Sequence, residues 1–458
     1  MDSQPSQLKE DLRAVIVPSK IKVLYGMGLC GTQLFNGIQA AATAWFWITI
    51  MELNPFYYFI IMVVFYNIWN AVNDPVFGWI SDRTKSRWGR RIPYIRFFTP
   101  VWLFSTIFLF FPFISLDQIS LGIWLAVFIL IFDGCYTMVA GCYNSMMPEF
   151  TTLTSERTKI NTIAQLFALI GMGAAYIFPL ILVDDKYGFF LFVIISGIIA
   201  MLVLIIPTFF YRERQIEYEK KPLGFWSALK NSIKNRPFMA FIGWNFMVQF
   251  TSAIVIANLI FYATNVLLAG DLEKYLLFGA LILVLLPGFF VNSKLRKIKG
   301  VRFTVFVDTL ILATGLLLLF LSETYFMAVI SLAISSFGLS GGLMFANVMI
   351  AESTDYDELR TKRRREAMFF GTNALFTKPA IGFAHGVIAL VLATTGFIQG
   401  EGVDPLLQPA TAIFGIRMIM GLYPSIALYL SLIFLYFYPN KEQNEEMKRE
   451  LALLHENG

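Results

Sequence analysis

Apolar runs of about 20 residues follow one another along almost the whole chain, separated by short polar breaks, and each is long enough to cross a bilayer as a helix. The runs cover residues 22–50, 56–80, 95–115, 120–145, 161–183, 188–211, 237–265, 272–292, 303–322, 324–350, 367–396 and 411–438. Only 15% of residues are charged, against about 25% in a soluble domain, and the mean hydropathy is +0.65. The pattern predicts an all-α membrane protein with twelve transmembrane helices. Cys30, Cys135 and Cys142 fall inside apolar runs, which predicts free thiols and no disulfide framework. The first twenty residues are polar and mixed in charge, without the apolar core of a signal peptide.

Charge orients the chain. With twelve spans, 32 of the 36 Lys and Arg residues fall on one side, in the N-terminus, residues 81–96, 146–160, 212–236, 293–302 and 351–366, and the tail. The other side keeps Lys186 and Lys274 among nine acids, and Lys378 and Arg417 lie within spans. The positive-inside rule therefore places both termini in the cytoplasm of a cell-membrane protein. The net charge of +5 is explained by topology, without a nucleic-acid partner. The linker 212–236 separates two six-helix halves, 1–211 and 237–438, ahead of a cytoplasmic tail, 439–458. The basic turns after the second and eighth spans echo each other, as do the acidic segments after the fourth and tenth. Such a repeat is the mark of a transporter that rocks one half against the other.

The second span carries Trp69-Asn70-Ala71-Val72-Asn73-Asp74-Pro75. An ionised carboxylate deep in a membrane costs roughly 2.5–3.5 kcal/mol even on the lenient insertion scale. Asp74 must therefore have a partner, hold a proton or face water. Helical spacing puts Asn67, Asn70 and Asp74 on one face with Asn73 at its border. That oxygen-rich stripe suits a hard cation or a proton. Pro75 removes the hydrogen bond to the Ala71 carbonyl and invites a kink. Asp133 lies one turn before Thr137 on the fourth span, a second intramembrane acid. Asp82, Arg83, Arg90 and Arg91 after the second span, with Glu352, Asp355 and Glu366 after the tenth, are expected to form a cytoplasmic gate of ion pairs that latches when the site faces outward. Asp308, near a cytoplasmic helix end, is expected to reach the basic loop around Lys299 and Arg302. Two histidines, His385 and His455, and the absence of any Cys/His cluster predict no metal centre beyond a possible Na⁺, no other cofactor and no enzymatic chemistry.

Asn73-Asp74-Pro75 followed by Gly78-Trp79-Ile80-Ser81-Asp82-Arg83-Thr84-Lys85-Ser86-Arg87-Trp88-Gly89-Arg90-Arg91-Ile92-Pro93 resembles the signature of the glycoside–pentoside–hexuronide:cation symporters. These form a branch of the major facilitator superfamily that includes melibiose permease. The acidic stretch Ala351 to Glu366 and the later Lys378 are similar to the family's second signature. The resemblance implies the major facilitator fold and a cation site. Asp74 matches the site's second acid, Asn73 its asparagine, Thr137 its fourth-helix threonine and Lys378 its lysine. Asn70 stands where the first acid is expected, which removes a formal charge, and Asp133 is assigned to restore it. Gln33 and Ala140 replace the family's sugar-gripping acids, so a galactoside pocket of the melibiose type is not implied. Gln33, Asn36, Ala140, Trp244, Gln249 and Asn373 are the candidate substrate residues. The function expected is H⁺- or Na⁺-coupled transport of a small polar solute, a sugar or glycoside, by alternating access in a monomer. The alternative is carriage of a lysolipid or other amphiphile, in keeping with 46 phenylalanines.

Overall fold

The computed structural model describes residues 16–84, 86, 88–89, 91–112, 116–144, 146–150, 154–182, 185–210, 233–361 and 366–456. Among them, eleven helices are long and apolar enough to cross a membrane. The helix over the first expected span, α1 (Ser19–Trp45), is not one of the eleven. It is 27 residues long, about 40 Å at 1.5 Å per residue, but Thr32, Gln33, Asn36, Gln39 and Thr43 dilute its apolar surface.

The chain divides into two compact units. The N-terminal unit takes residues 1–46 and 68–219, and the C-terminal unit takes 47–67 and 220–458. The second expected span is therefore shared: its first part, up to Asn67, belongs with the C-terminal unit.

In the N-terminal unit, α1 lies against α7 (Thr154–Ile181) and α8 (Lys186–Ile205). Small residues let the backbones approach, as membrane helices require: a Cβ on Gly171 would strike the Cys30 carbonyl. Next come α3 (Asn67–Arg83), α4 (Ile92–Leu109), α5 (Gln118–Asn144) and the short α6 (Met147–Phe150). The α4 helix opens with Pro93 in its first turn, where a missing N–H costs nothing. Phe35 of α1 stacks on Trp102 of α4 with ring centroids 4.5 Å apart. Asp185 caps α8 by accepting from the Gly188 N–H at 2.9 Å.

The C-terminal unit begins with α2 (Pro55–Ile60) and a π-turn over Ile61–Tyr66. It continues with α9 (Arg236–Phe261), α10 (Asp271–Leu283), α11 (Leu285–Lys299), α12 (Val301–Leu321), α13 (Tyr325–Thr361), α14 (Glu366–Thr377), α15 (Pro379–Thr395), α16 (Ala410–Arg417), α17 (Tyr423–Tyr436) and α18 (Lys441–Glu456). Asn235 caps α9 through the Phe238 N–H at 3.0 Å. Gly300, at φ 83°, separates α11 from α12, a backbone angle that only glycine adopts without penalty. The eighth expected span breaks at Val284, and the eleventh breaks at Lys378 ahead of Pro379. The α3 helix, by contrast, runs on through Pro75.

The ends of the first and seventh expected spans match. Each closes in a five-residue π-turn, Phe46–Ile50 and Tyr262–Val266. Further π-turns lie at Ile61–Tyr66 and Met418–Leu422, in the second and twelfth expected spans.

Candidate functional site

The α3 and α5 helices bring four polar side chains together inside the N-terminal unit. Asn70 and Asn73 lie one turn apart on α3 and are buried, as is Asp133 on α5. Thr137 follows Asp133 by one turn and is half-buried. The Asn73 amide Nδ2 donates to the Asp133 carboxylate at 2.5 Å and to Thr137 Oγ1 at 3.3 Å. A hydrogen bond to an ionised acceptor is roughly twice as strong as a neutral one, which offsets part of the cost of burying the charge. The other end of the same amide, Asn73 Oδ1, is buried with no hydrogen-bond partner among the described residues. The cluster thus gathers carboxylate, hydroxyl and amide oxygens, the hard donors that an alkali cation or a proton takes.

Asp74 continues α3 one residue beyond Asn73, and its side chain lies outside the described residues. Asn67 departs from the expected stripe. Its amide donates to the Val63 carbonyl at 3.0 Å, and it lies against Gly382 of α15, where a Cβ would collide with it. The π-turn ends at Tyr66, and Asn67 opens the same α-helix that carries 70 and 73, so the spacing of the three is kept while Asn67 is engaged by its own neighbours.

The remaining candidates spread over other surroundings. Gln33 and Asn36 on α1 are half-buried, and Ala140 on α5 is buried. Asn373 on α14 accepts from Asn245 of α9 at 2.9 Å. Trp244 is fully buried, and its indole N–H donates to Thr309 of α12 at 2.9 Å. That bond packs the ring into the helix core of its own unit. Gln249 is exposed. Lys378 sits half-buried just ahead of Pro379, where the backbone stays helical and the Lys378 N–H donates to the Ala374 carbonyl at 3.0 Å.

Of the expected cytoplasmic gate, Arg90 and the side chains of Asp82, Arg83 and Glu366 lie outside the described residues. Arg91 and Asp355 are half-buried. Glu352 accepts from the Tyr438 hydroxyl at 3.0 Å and from Asn444 Nδ2 at 2.9 Å. Sequence reasoning misses these tail partners, which come from almost ninety residues downstream. It also misses an ion cluster at the start of α7. Glu156 meets Lys22 at 2.6 Å and Lys159 at 2.9 Å. Hydrogen bonds from Lys22 and Lys159 hold the Glu156 carboxyl down to about 2. The i, i+3 spacing of Glu156 and Lys159 is the signal that could have found it.

Arg417 donates to the Ser322 carbonyl at 2.8 Å and so caps the end of α12. His385 is fully buried, with Nδ1 2.8 Å from the Tyr58 hydroxyl.

Residues 24–442 match the family model described as MFS/sugar transport protein. The chain belongs to the MFS/sugar transport family. It is a multi-pass membrane protein and a secondary active transporter, similar to the glycoside–pentoside–hexuronide:cation symporters. The isoprimeverose transporter of Lactiplantibacillus pentosus is 25% identical, over 84% of this chain and 81% of its own length. The glucuronide carrier protein homolog of Escherichia coli is 24% identical, over 82% and 83%. The sodium-dependent lysophosphatidylcholine symporter 1 of Xenopus tropicalis is 22% identical, over 99% and 93%. Among solved structures, a bacterial homolog of the human lysosomal transporter Spinster, inward-facing, superposes with a TM-score of 0.66 at 15% identity. It covers 98% of this chain and 99% of its own. A D-xylose–proton symporter gives 0.61 at 13%, over 93% and 98%. At these identities the solved structures speak to the fold alone.

Proposed function

We propose that this transporter couples the movement of a small polar solute, a sugar or glycoside, to a monovalent cation, H⁺ or Na⁺. The cation is held by Asp133, Thr137, Asn70 and Asn73, with Asp74 supplying the second acid. One observation carries the reading: the Asn73 amide donates to Asp133 while its own oxygen is left buried and unpaired among the described residues. In that arrangement the amide N–H occupies the place of a cation at the carboxylate. Rotating the amide by half a turn replaces the donor with an oxygen, so one side chain serves both the loaded and the unloaded state. Lys378, by resemblance, supplies the counter-charge when no cation is bound.

Coupling follows from populations. A cation shifts the balance between outward- and inward-facing states only by its difference in affinity for them. Moving that balance from 1:99 to 99:1 takes about 5.5 kcal/mol, within reach of a desolvated carboxylate whose ligand set changes. We further propose twelve spans, with α1 as the first, in two six-helix halves on either side of the 212–236 linker. Both termini and the 439–458 tail are cytoplasmic, the cell membrane is the location, and the monomer is the working unit.

A second reading has its own support. The lysophosphatidylcholine symporter aligns over nearly the whole chain, and Gln33 and Ala140 supply no sugar-gripping acid. An amphiphile with a charged head and an apolar tail is the substrate in that case. Uptake into proteoliposomes of labelled pentosides, hexuronides and lysolipids, under imposed Na⁺ or H⁺ gradients, tests both. Accumulation of a glycoside above its equilibrium level supports the first reading. Accumulation of lysolipids alone replaces it with the second.

A further inference from the structure

The C-terminal unit holds a second intramembrane acid that the coupling scheme does not use. Asp308 lies in the second turn of α12, about 10 Å along the helix from Val301. The expectation that it reaches the loop at Lys299 and Arg302 does not hold. Its exposure is 1%, and neither carboxyl oxygen has a hydrogen-bond partner among the described residues. Arg302 instead lies over the Tyr436 ring, 5.5 Å from its centroid, and Lys299 is exposed.

The surroundings of Asp308 are built from three helices. The Asn292 amide of α11, 1% exposed, stands beside the carboxyl. Its Nδ2 donates to Ser340 Oγ of α13 at 2.9 Å, while its Oδ1 is buried and unpaired among the described residues. Facing them on α13 are Gly338 and Gly341. A Cβ at 341 would overlap the Asp308 carboxyl, and one at 338 would strike the α12 backbone at Asp308 and Leu312. Small residues here make the space that the carboxyl fills.

Every charged group on the neighbouring elements is engaged elsewhere or distant. On α11, Lys294, Lys297 and Lys299 are exposed, and Arg296 lies over Phe345. On α13, the first acid beyond Gly341 is Glu352, about 16 Å along the helix and bonded to Tyr438 and Asn444. Asp355, Asp357, Glu358 and Arg360 lie further on. On α9, Arg236 lies over Phe437. The α17 helix carries no charged residue, and its Tyr429 pairs with Thr314.

Two kinds of acceptor, carboxyl and amide oxygens, are thus buried together without a donor among the described residues. Leaving such groups unpaired in a membrane costs several kcal/mol. A hard metal ion collects about six oxygens, more than Asp308, Asn292 and Ser340 supply. A proton needs only one donor–acceptor pair. We propose that Asp308, with Asn292 and Ser340, is a proton-binding site of the C-terminal half, separate from the cation cluster on α3 and α5. The proton comes from water and rests on the carboxyl, whose O–H donates to Asn292 Oδ1 in the closed packing of α11, α12 and α13. It returns to water when those helices part during turnover. The site rests on the protein's being a transporter, not on the solute it carries.

The test needs no substrate. The carboxylic-acid C=O stretch is recorded by infrared difference spectroscopy on the full-length protein in nanodiscs, titrated with pH, for wild type, Asp308→Asn and Asp133→Asn. A titrating acid band that is missing in Asp308→Asn and retained in Asp133→Asn is the expected result. Asn292→Leu removes the amide beside the carboxyl and is expected to shift the midpoint of that band, which an acid elsewhere would not show. That variant keeps the proposal testable if Asp308→Asn fails to fold. A spectrum unchanged in Asp308→Asn overturns the proposal. So does an Asp308 band that persists at every pH where the protein stays folded, because a proton that never leaves is packing and not a site.

Discussion

Asp133 and Asp308 are the same residue type at nearly the same burial, 3% and 1% exposed, one in each unit. They differ in what surrounds them. Asp133 faces an amide N–H and stands a turn from a hydroxyl, whereas Asp308 faces glycines and an amide of which one N–H goes to Ser340. Donors stabilise an anion, which favours the cation proposed for Asp133. Fewer donors favour the acid form proposed for Asp308. On this proposal equal burial does not mean equal chemistry, and the local count of donors decides which ion each carboxylate accepts.

The largest effect that would sharpen this contrast is at Asn73. Asn73→Ala leaves the Asp133 charge of the cation-free state without its amide, a loss of about 1.5–3 kcal/mol for a hydrogen bond to a charged group. The purified, cation-free variant is expected to melt clearly below wild type. An unchanged melting temperature would remove the distinction between the two acids. Next come the glycines. Gly341→Ala drives a methyl into the Asp308 carboxyl and is expected to cost about 1–3 kcal/mol as overpacking. Gly134→Ala, beside Asp133, meets Trp69 at 3.3 Å, and a cost below about 1 kcal/mol is expected. Comparing their melting temperatures checks whether only the Asp308 pocket is filled.

A smaller effect is expected at Asp308 itself. Asp308→Asn substitutes an amide for a neutral acid of the same shape, and less than about 1 kcal/mol of stability should change. A strong loss on thermal melting would mean that the native group is an anion. The smallest effect lies outside the expected spans, at Glu156. Its carboxyl is held below the ordinary 4.5, at about 2. Its contribution is then fully present above pH 4.5 and is lost as pH falls towards 2. Glu156→Gln is expected to lower the melting temperature slightly at neutral pH and to flatten its decline over that acid window. A variant whose acid limb matches wild type would show that the Lys22 and Lys159 contacts do not favour the ionised form.

Much of the fold is legible in the amino-acid sequence. Apolar length locates the helices, and the loss of α1 from the clearly apolar set has a visible cause in its own polar residues. The polar faces of α3 and α5 are legible as well, because helical spacing puts Asp133 and Thr137 on one face and sets Asn70 and Asn73 within one turn. What period alone does not carry is the neighbour. Asn67 keeps the helical spacing of Asn70 and Asn73, yet it lies against Gly382, which no local sequence rule announces. The partner of Trp244 is not legible in sequence, because an indole in an apolar helix looks the same whether its N–H meets a solute or Thr309. Proximity in sequence directs Asp308 to the basic loop. The contrary sign, Gly338 and Gly341 on a partner helix, becomes meaningful only once α12 and α13 are seen together. The Glu352 partners come from the tail, beyond the reach of any motif.

Replacing the Asp133 carboxylate by its amide is the most direct measurement of the account. Asp133→Asn protein in proteoliposomes is given a solute that the wild type accumulates, under the same imposed ion gradient. The account expects solute to equilibrate across the membrane and not to concentrate, while exchange of labelled for unlabelled solute continues. Accumulation to the wild-type level would contradict it.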